Sequence, residues 1–253
     1  MRKRSTIAIA VFLLLFFAVW EIAVRAGWLD EQFIPAFSTI IREMLTLAAS
    51  GQLLIHIVVS FLRILAGTLL AVGIGVPLGF LLAGWAPRLT AFLKPLLTNL
   101  SMLNPFTLIP VFIIVLGLGE SSKIGLIFWV LIWPVLFSSI AGVGQLDPGL
   151  VKAARSMGAK GSKIFWAVIL PGSIDRIFTG LKSAVTLGFT VLLGTEMIGS
   201  DTGLGWIIHN SQKNYNIPRM YVGIVCIAVL GLLVSLGIEK LQKRIVVWKE
   251  DGV

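Results

Sequence analysis

The chain has 253 residues; 57% are apolar, 13% are charged, and 21 Lys and Arg against 12 Asp and Glu leave a net charge of +9. A charged fraction about half the usual ~25% excludes a disordered chain and an ordinary soluble enzyme, and one cysteine with two distant histidines, His56 and His209, excludes a disulfide scaffold and a His/Cys metal centre. The expected solvent is a lipid bilayer and the expected fold class is all-α and polytopic, and the basic residues, divided among short loops, read as membrane topology and not as a nucleic-acid-binding surface.

A membrane helix needs about 20 mostly apolar residues. Six segments qualify: 7–24, 57–85, 96–118, 124–143, 177–199 and 220–238. The first follows a basic start, Arg2-Lys3-Arg4, and contains Glu21. No small-x-small cleavage site follows it, so it reads as a retained anchor helix and not as a signal peptide. Next comes a turn at Pro35-Ala-Phe-Ser38, with Ser38 as helix cap, and an amphipathic helix over 39–49 at the membrane surface. The core, 57–238, then completes one transmembrane domain spanning 1–253.

Within the second segment, Arg63 reads as an edge residue, and Gly75-Val-Pro-Leu-Gly79 is a GxxxG step that lets two helices approach closely. The third segment carries Pro105 and Pro110, which distort a helix and free backbone carbonyls. Asn104 and Thr107 at the same depth have two open readings: they face a solute path, or they satisfy the kinked backbone. In the fifth segment Thr186 and Thr190 stack one turn apart, and Lys182 can snorkel. Glu196 is open between a place on the path, a hydrogen bond to a neighbouring helix, and hydration at the interface.

Of the 21 Lys and Arg, 14 fall in the N-terminal stretch, the connection around 86–95, the 147–176 loop and the C-terminal stretch. All lie on one side of a six-span arrangement, which puts both termini in the cytoplasm.

The 147–172 loop is the most ordered connection. Asp147-Pro148 starts a helix with a capping acid and proline at the first position. Gly158 fits a left-handed stop. A second short helix over 162–169 is expected to end at Leu170-Pro171-Gly172. Two short helices joined at a glycine make a knob: Ala153 and Ala154 leave room for a partner surface, and Met157, Ile164, Phe165 and Trp166 offer apolar anchors.

Lys152-Ala153-Ala154-x3-Gly158-x9-Val168-x-Leu170-Pro171 resembles the "EAA" loop of bacterial ABC importer membrane subunits. Lys152 departs from the pattern by replacing an acid, and Val168 replaces an isoleucine. The resemblance continues through Pro105–Pro110, Gly117-Leu-Gly119-Glu120-Ser-Ser-Lys123, Ala141–Pro148 and Gly194-Thr-Glu-Met-Ile-Gly199…Gly203-Leu-Gly205, which are similar to permeases for nitrate, sulfonate, taurine and related small solutes.

The resemblance implies a type I ABC importer permease-like fold in the bacterial inner membrane. It implies a homodimeric pore of two permease copies, two cytoplasmic ABC ATPase subunits, and an extracytoplasmic solute-binding protein. The ATPase-coupling residues would be Lys152, Ala153, Ala154, Arg155, Met157, Gly158, Val168, Leu170 and Pro171. The path candidates remain Asn104, Thr107, Thr186, Thr190 and Glu196. No phosphate-binding G-x-x-x-x-G-K-[ST] occurs in the chain, so ATP would belong to the partner and the chain needs no cofactor or metal of its own. The alternative is a secondary transporter driven by an ion gradient, a class that shows repeated halves with broken helices; no convincing internal repeat is visible.

Overall fold

The computed structural model describes residues 2–84 and 87–246, with the side chains of 2–10, 13, 14 and 87 outside that description. Among the described residues there are helices and connections and no strand. Lipid offers backbone groups no hydrogen-bond partner, so each segment must close its own ladder.

The helices run α1 (Arg2–Arg25), α2 (Phe37–Ala49), α3 (Gln52–Gly84), α4 (Pro87–Ser101), α5 (Pro105–Leu116), α6 (Glu120–Gly144), α7 (Pro148–Ser156), α8 (Ser162–Ile164), a π-turn (Phe165–Ile169), α9 (Leu170–Met197), α10 (Leu204–Lys213) and α11 (Ile217–Ile245). Among the described residues, four unbroken stretches are long and apolar enough to cross a membrane: α3, α6, Ser162–Met197 and α11. The predicted span 7–24 falls in α1; the side chains of 7–10, 13 and 14 lie outside the description, as do the basic Arg2, Lys3, Arg4 and Lys249 counted toward orientation.

The predicted continuous span 96–118 is corrected. Its sequence forms two helices, α4 and α5, bent by 92° at the break. Proline cannot donate to the preceding turn, and Asn104 makes the break a new helix start: it is extended and its side chain accepts from the Phe106 N–H. The count of six thus becomes four unbroken spans, one bent pair and α1.

The bent pair occupies the crossing between α3 and α6. α3 and α6 run parallel, since Gly67 meets Ile127, Gly75 meets Val135 and Gly79 meets Ser139. A parallel pair needs a return crossing, and α4–α5 supplies it. The seam is a stripe of small residues at one-turn spacing, Gly67, Ala71, Gly75 and Gly79, all buried. α9 packs antiparallel on α6, with Gly180 against Ser138 and Gly188 against Leu131. The core of this trio holds Ile64, Ala71, Ile127, Leu131, Val135, Ala184, Val185 and Leu192. A second core joins α2, α3, α10 and α11 through Ile40, Leu47, Leu53, Ile207, Val222 and Leu230.

Two sequence expectations about helix ends are corrected. Ser38 does not cap α2; it lies inside the first turn, and the Glu21 carboxylate of α1 accepts from its backbone N–H at 3.1 Å and its hydroxyl at 2.7 Å. A carboxylate is favoured at a helix N-terminus, so the cap comes from a neighbouring helix. Leu170-Pro171-Gly172 does not end the second loop helix either; the helix runs unbroken from Ser162 to Met197. The π-turn just before Pro171 adds a residue to the ring and takes up the bonding a proline disrupts.

The small-residue seam gives a direct test. A Cβ at Gly67 would run into the Ile127 side chain, whereas nothing lies within 4 Å of one at Gly73. Gly67→Ala is expected to destabilise the chain by about 1–3 kcal/mol. Gly73→Ala should be neutral or slightly stabilising, as alanine is the better helix former. Thermal unfolding of the full chain in detergent reads both; equal shifts would contradict the packing.

Candidate translocation path and docking knob

The loop helix α7 begins as its sequence dictates. Asp147 accepts from the Gly149 N–H at 2.7 Å, Pro148 occupies the first turn, and Gly158 turns left-handed at φ +83°. Lys152, Ala153, Arg155, Met157 and Gly158 face outward; Met157 is 82% exposed and Trp166 64%. Ala154 is buried, so it packs inside the knob and offers no partner surface; its carbonyl also accepts from the Ala159 N–H. Ile164, read as an outward anchor, is likewise buried. Phe165 packs edge-on against Phe80 of α3, 5.2 Å between ring centres. Val168, in the π-turn, and Leu170 and Pro171, just beyond it, are half-buried. The knob is therefore rooted in both α9 and α3.

The path candidates divide. Thr186 and Thr190 on α9 are exposed in the chain and line a cleft of about 510 Å³ between α9 and α11. Thr190 and Asn104 line a second cleft, about 400 Å³, walled by Trp129, Trp133 and Phe137 of α6. Thr107 does not line either; its hydroxyl donates to the Asn104 carbonyl at 2.7 Å and satisfies the bent backbone.

Glu196 is corrected as a path residue. It has no exposed surface, and its carboxylate accepts from Ser60 Oγ at 2.7 and 2.9 Å, from Arg63 Nη1 at 2.8 Å and from the Gly205 N–H at 2.8 Å. This is the hydrogen-bonded structural reading. Arg63, expected at a helix edge, is also buried, at 2% exposure. Its guanidinium reaches Glu120 as well, Nε at 2.7 Å and Nη2 at 2.5 Å, and donates to the Thr202 carbonyl at 2.7 Å. Lys123 joins Glu120 to Ser200. His56 Nδ1 accepts from the Gly203 N–H, and Ser60 Oγ from the Leu204 N–H.

These bonds gather α3, α6, the end of α9 and the 198–203 loop at the end of the bundle remote from the knob. Gly203 is left-handed at φ +118°, and a Cβ there would strike the Glu196 carboxylate. Sequence reading missed the network, but a signal was present: an arginine and a glutamate inside apolar helices must find partners, and they are of opposite sign.

A carboxylate and a guanidinium buried together are costly to separate. Arg63→Leu is expected to lower stability by about 3–5 kcal/mol by stranding Glu196, while Arg63→Leu combined with Glu196→Leu recovers part of the loss. A double-mutant cycle on thermal unfolding measures this; additive effects would contradict the pairing.

Residues 75–247 match the family described as "Binding-protein-dependent transport system inner membrane component". The taurine transport system permease protein TauC of Escherichia coli (strain K12) is 30% identical over 251 residues, covering 97% of this chain and 90% of the relative. The putative aliphatic sulfonates transport permease protein SsuC of the same organism is 32% identical over 235 residues, covering 91% and 88%. Among solved structures, an inward-facing form of the MetNI methionine ABC transporter superposes with a TM-score of 0.67 at 17% identity, over 78% of this chain and 98% of that one.

Proposed function

Because the chain belongs to the binding-protein-dependent transport system inner membrane component family, we propose that it is the permease subunit of an ATP-driven importer for a small anion of the sulfonate class. It is a multi-pass inner-membrane transport subunit, and the hydrolysis of ATP belongs to a separate cytoplasmic ATPase. Similarity to the taurine and sulfonate permeases supports the solute class. Family membership sets aside the ion-gradient reading.

The assembly has two permease copies, two ATPases on the cytoplasmic side and a solute-binding protein outside, with both termini in the cytoplasm. The bias of Lys and Arg toward the knob side supports this orientation. The observation that carries the coupling is mechanical. The knob presents Met157 and Trp166 outward, and its second half, which carries Trp166, is the start of an unbroken 36-residue helix that ends beside the Glu196 network. At 1.5 Å per residue this helix is about 54 Å long. A displacement of the knob by the ATPase moves α9, and α3 follows through Phe80 and Arg63. The threonines on α9 move with them, and the clefts they line open to one side or the other. ATP shifts this balance only because the closed ATPase pair fits one knob position better than the other.

Met157→Asp puts a negative charge in place of an exposed apolar side chain of the knob. It is expected to abolish co-purification of the ATPase and ATP-dependent uptake while membrane insertion stays intact. Retained ATPase and uptake would remove Met157 from the interface.

A further inference from the structure

Three clefts meet at one side chain. Phe106 lines the 510 Å³ cleft between α9 and α11, the 400 Å³ cleft against α6, and a third of about 710 Å³ at the end remote from the knob. The third differs in chemistry: Ser200, Asp201, His209, Asn210 and Lys213 line it, and His209 Nδ1 is buried without a hydrogen-bond partner among the described residues. The first two are walled mostly by aromatic and aliphatic side chains. A polar vestibule and two apolar clefts therefore adjoin with only the Phe106 ring common to all.

The ring is held there by construction. Phe106 sits in the first turn of α5, where Asn104 accepts from its N–H at 3.0 Å and Pro105 fixes the preceding backbone. The 92° bend turns that first turn toward α9. There the ring lies on Gly194, so close that a Cβ at 194 would overlap it. Glycine at 194 is thus a seat for an aromatic ring from a broken helix.

We propose that Phe106 is the barrier of the path: its ring, seated on Gly194, separates the polar outer vestibule from the mid-helix clefts that carry Thr186 and Thr190. The inference rests on the transport reading for its purpose, but its geometry stands without it. An apolar constriction blocks water and anions by dewetting, so a modest ring displacement suffices to open it. Thr190 marks the far side of the ring from the vestibule, since it lines both apolar clefts and not the vestibule; exposed in the single chain, it is enclosed only where two copies face each other across the path.

The test is accessibility in the full chain. With the single cysteine removed by Cys226→Ser, Thr190→Cys provides one thiol behind the barrier. A membrane-impermeant thiol reagent is applied from the vestibule side of sealed membrane vesicles. Labelling is expected to be slow with Phe106 intact, about tenfold faster with Phe106→Ala, and slow again with Phe106→Leu, which keeps an apolar plug. Gly194→Ala, which unseats the ring while retaining it, should also speed labelling and serves if Phe106→Ala fails to insert. Equal rates across the four chains, or a leucine variant as fast as alanine, would overturn the barrier. The assay uses the permease copies alone, with no ATP, no ATPase and no binding protein, so the two readings fail separately. Uptake with unchanged labelling sinks the barrier alone; gated labelling without uptake sinks the transport reading alone.

Discussion

A carboxylate moved out of water into a helix bundle costs several kcal/mol unless other groups replace its hydration. Glu196 meets that demand with a serine, an arginine and a backbone N–H, and so binds three parts of the chain to one point. Arg63 carries a second carboxylate, Glu120, at the start of α6. The far end of the bundle is fixed by charge, where the middle is fixed by glycine and alanine contacts. This division follows from the solvent: helix faces that pack as closely as α3 and α6 leave no room for a charge, whereas loops between spans bring free backbone donors and acceptors that charged side chains can use. The glycines at 203 and 205 permit the contact, because a Cβ at either would meet the Glu196 side chain.

The opposite end is built for contact and not for closure. Its first helix is capped and stopped by local chemistry, and its second turns through a π-segment into α9. Exposed Met157 and Trp166 stand on a base held by Phe80 and by Leu146, which lies where a Cβ of Gly172 would go. One rigid root and one open surface are what a docking lever requires. Between the two ends α5 breaks the regularity, and the break places Phe106 where three clefts adjoin and Asn104 in the wall of one of them.

Local features were legible in the sequence where one residue type decides them. Asp147-Pro148 and Gly158 dictate α7 without help from the rest of the chain, and the apolar runs dictate α3, α6 and α11. Features that depend on a distant partner were not. Ser38 has the chemistry of a cap, but Glu21, seventeen residues earlier, takes that part. Leu170-Pro171-Gly172 has the chemistry of a stop, but packing of α9 on α6 outweighs it and the π-turn accommodates the proline. The prolines of 96–118 signalled distortion, but not that Asn104 would start a new helix at a 92° bend. Arg63 and Glu196 lie 133 residues apart, and only the fold makes them neighbours.

The central claim is that knob, α9 and the charged far end move as one body. Spin labels at Lys163→Cys, exposed on the second knob helix, and Asn210→Cys in the Cys226→Ser chain, assembled with its ATPase and diluted with unlabelled permease, report the distance within one copy. The account predicts that this distance stays constant when a non-hydrolysable ATP analogue binds, while uptake competence changes. A change of more than one helical turn, about 5.4 Å, would contradict it, because the knob would then be flexing on its root and not driving the bundle.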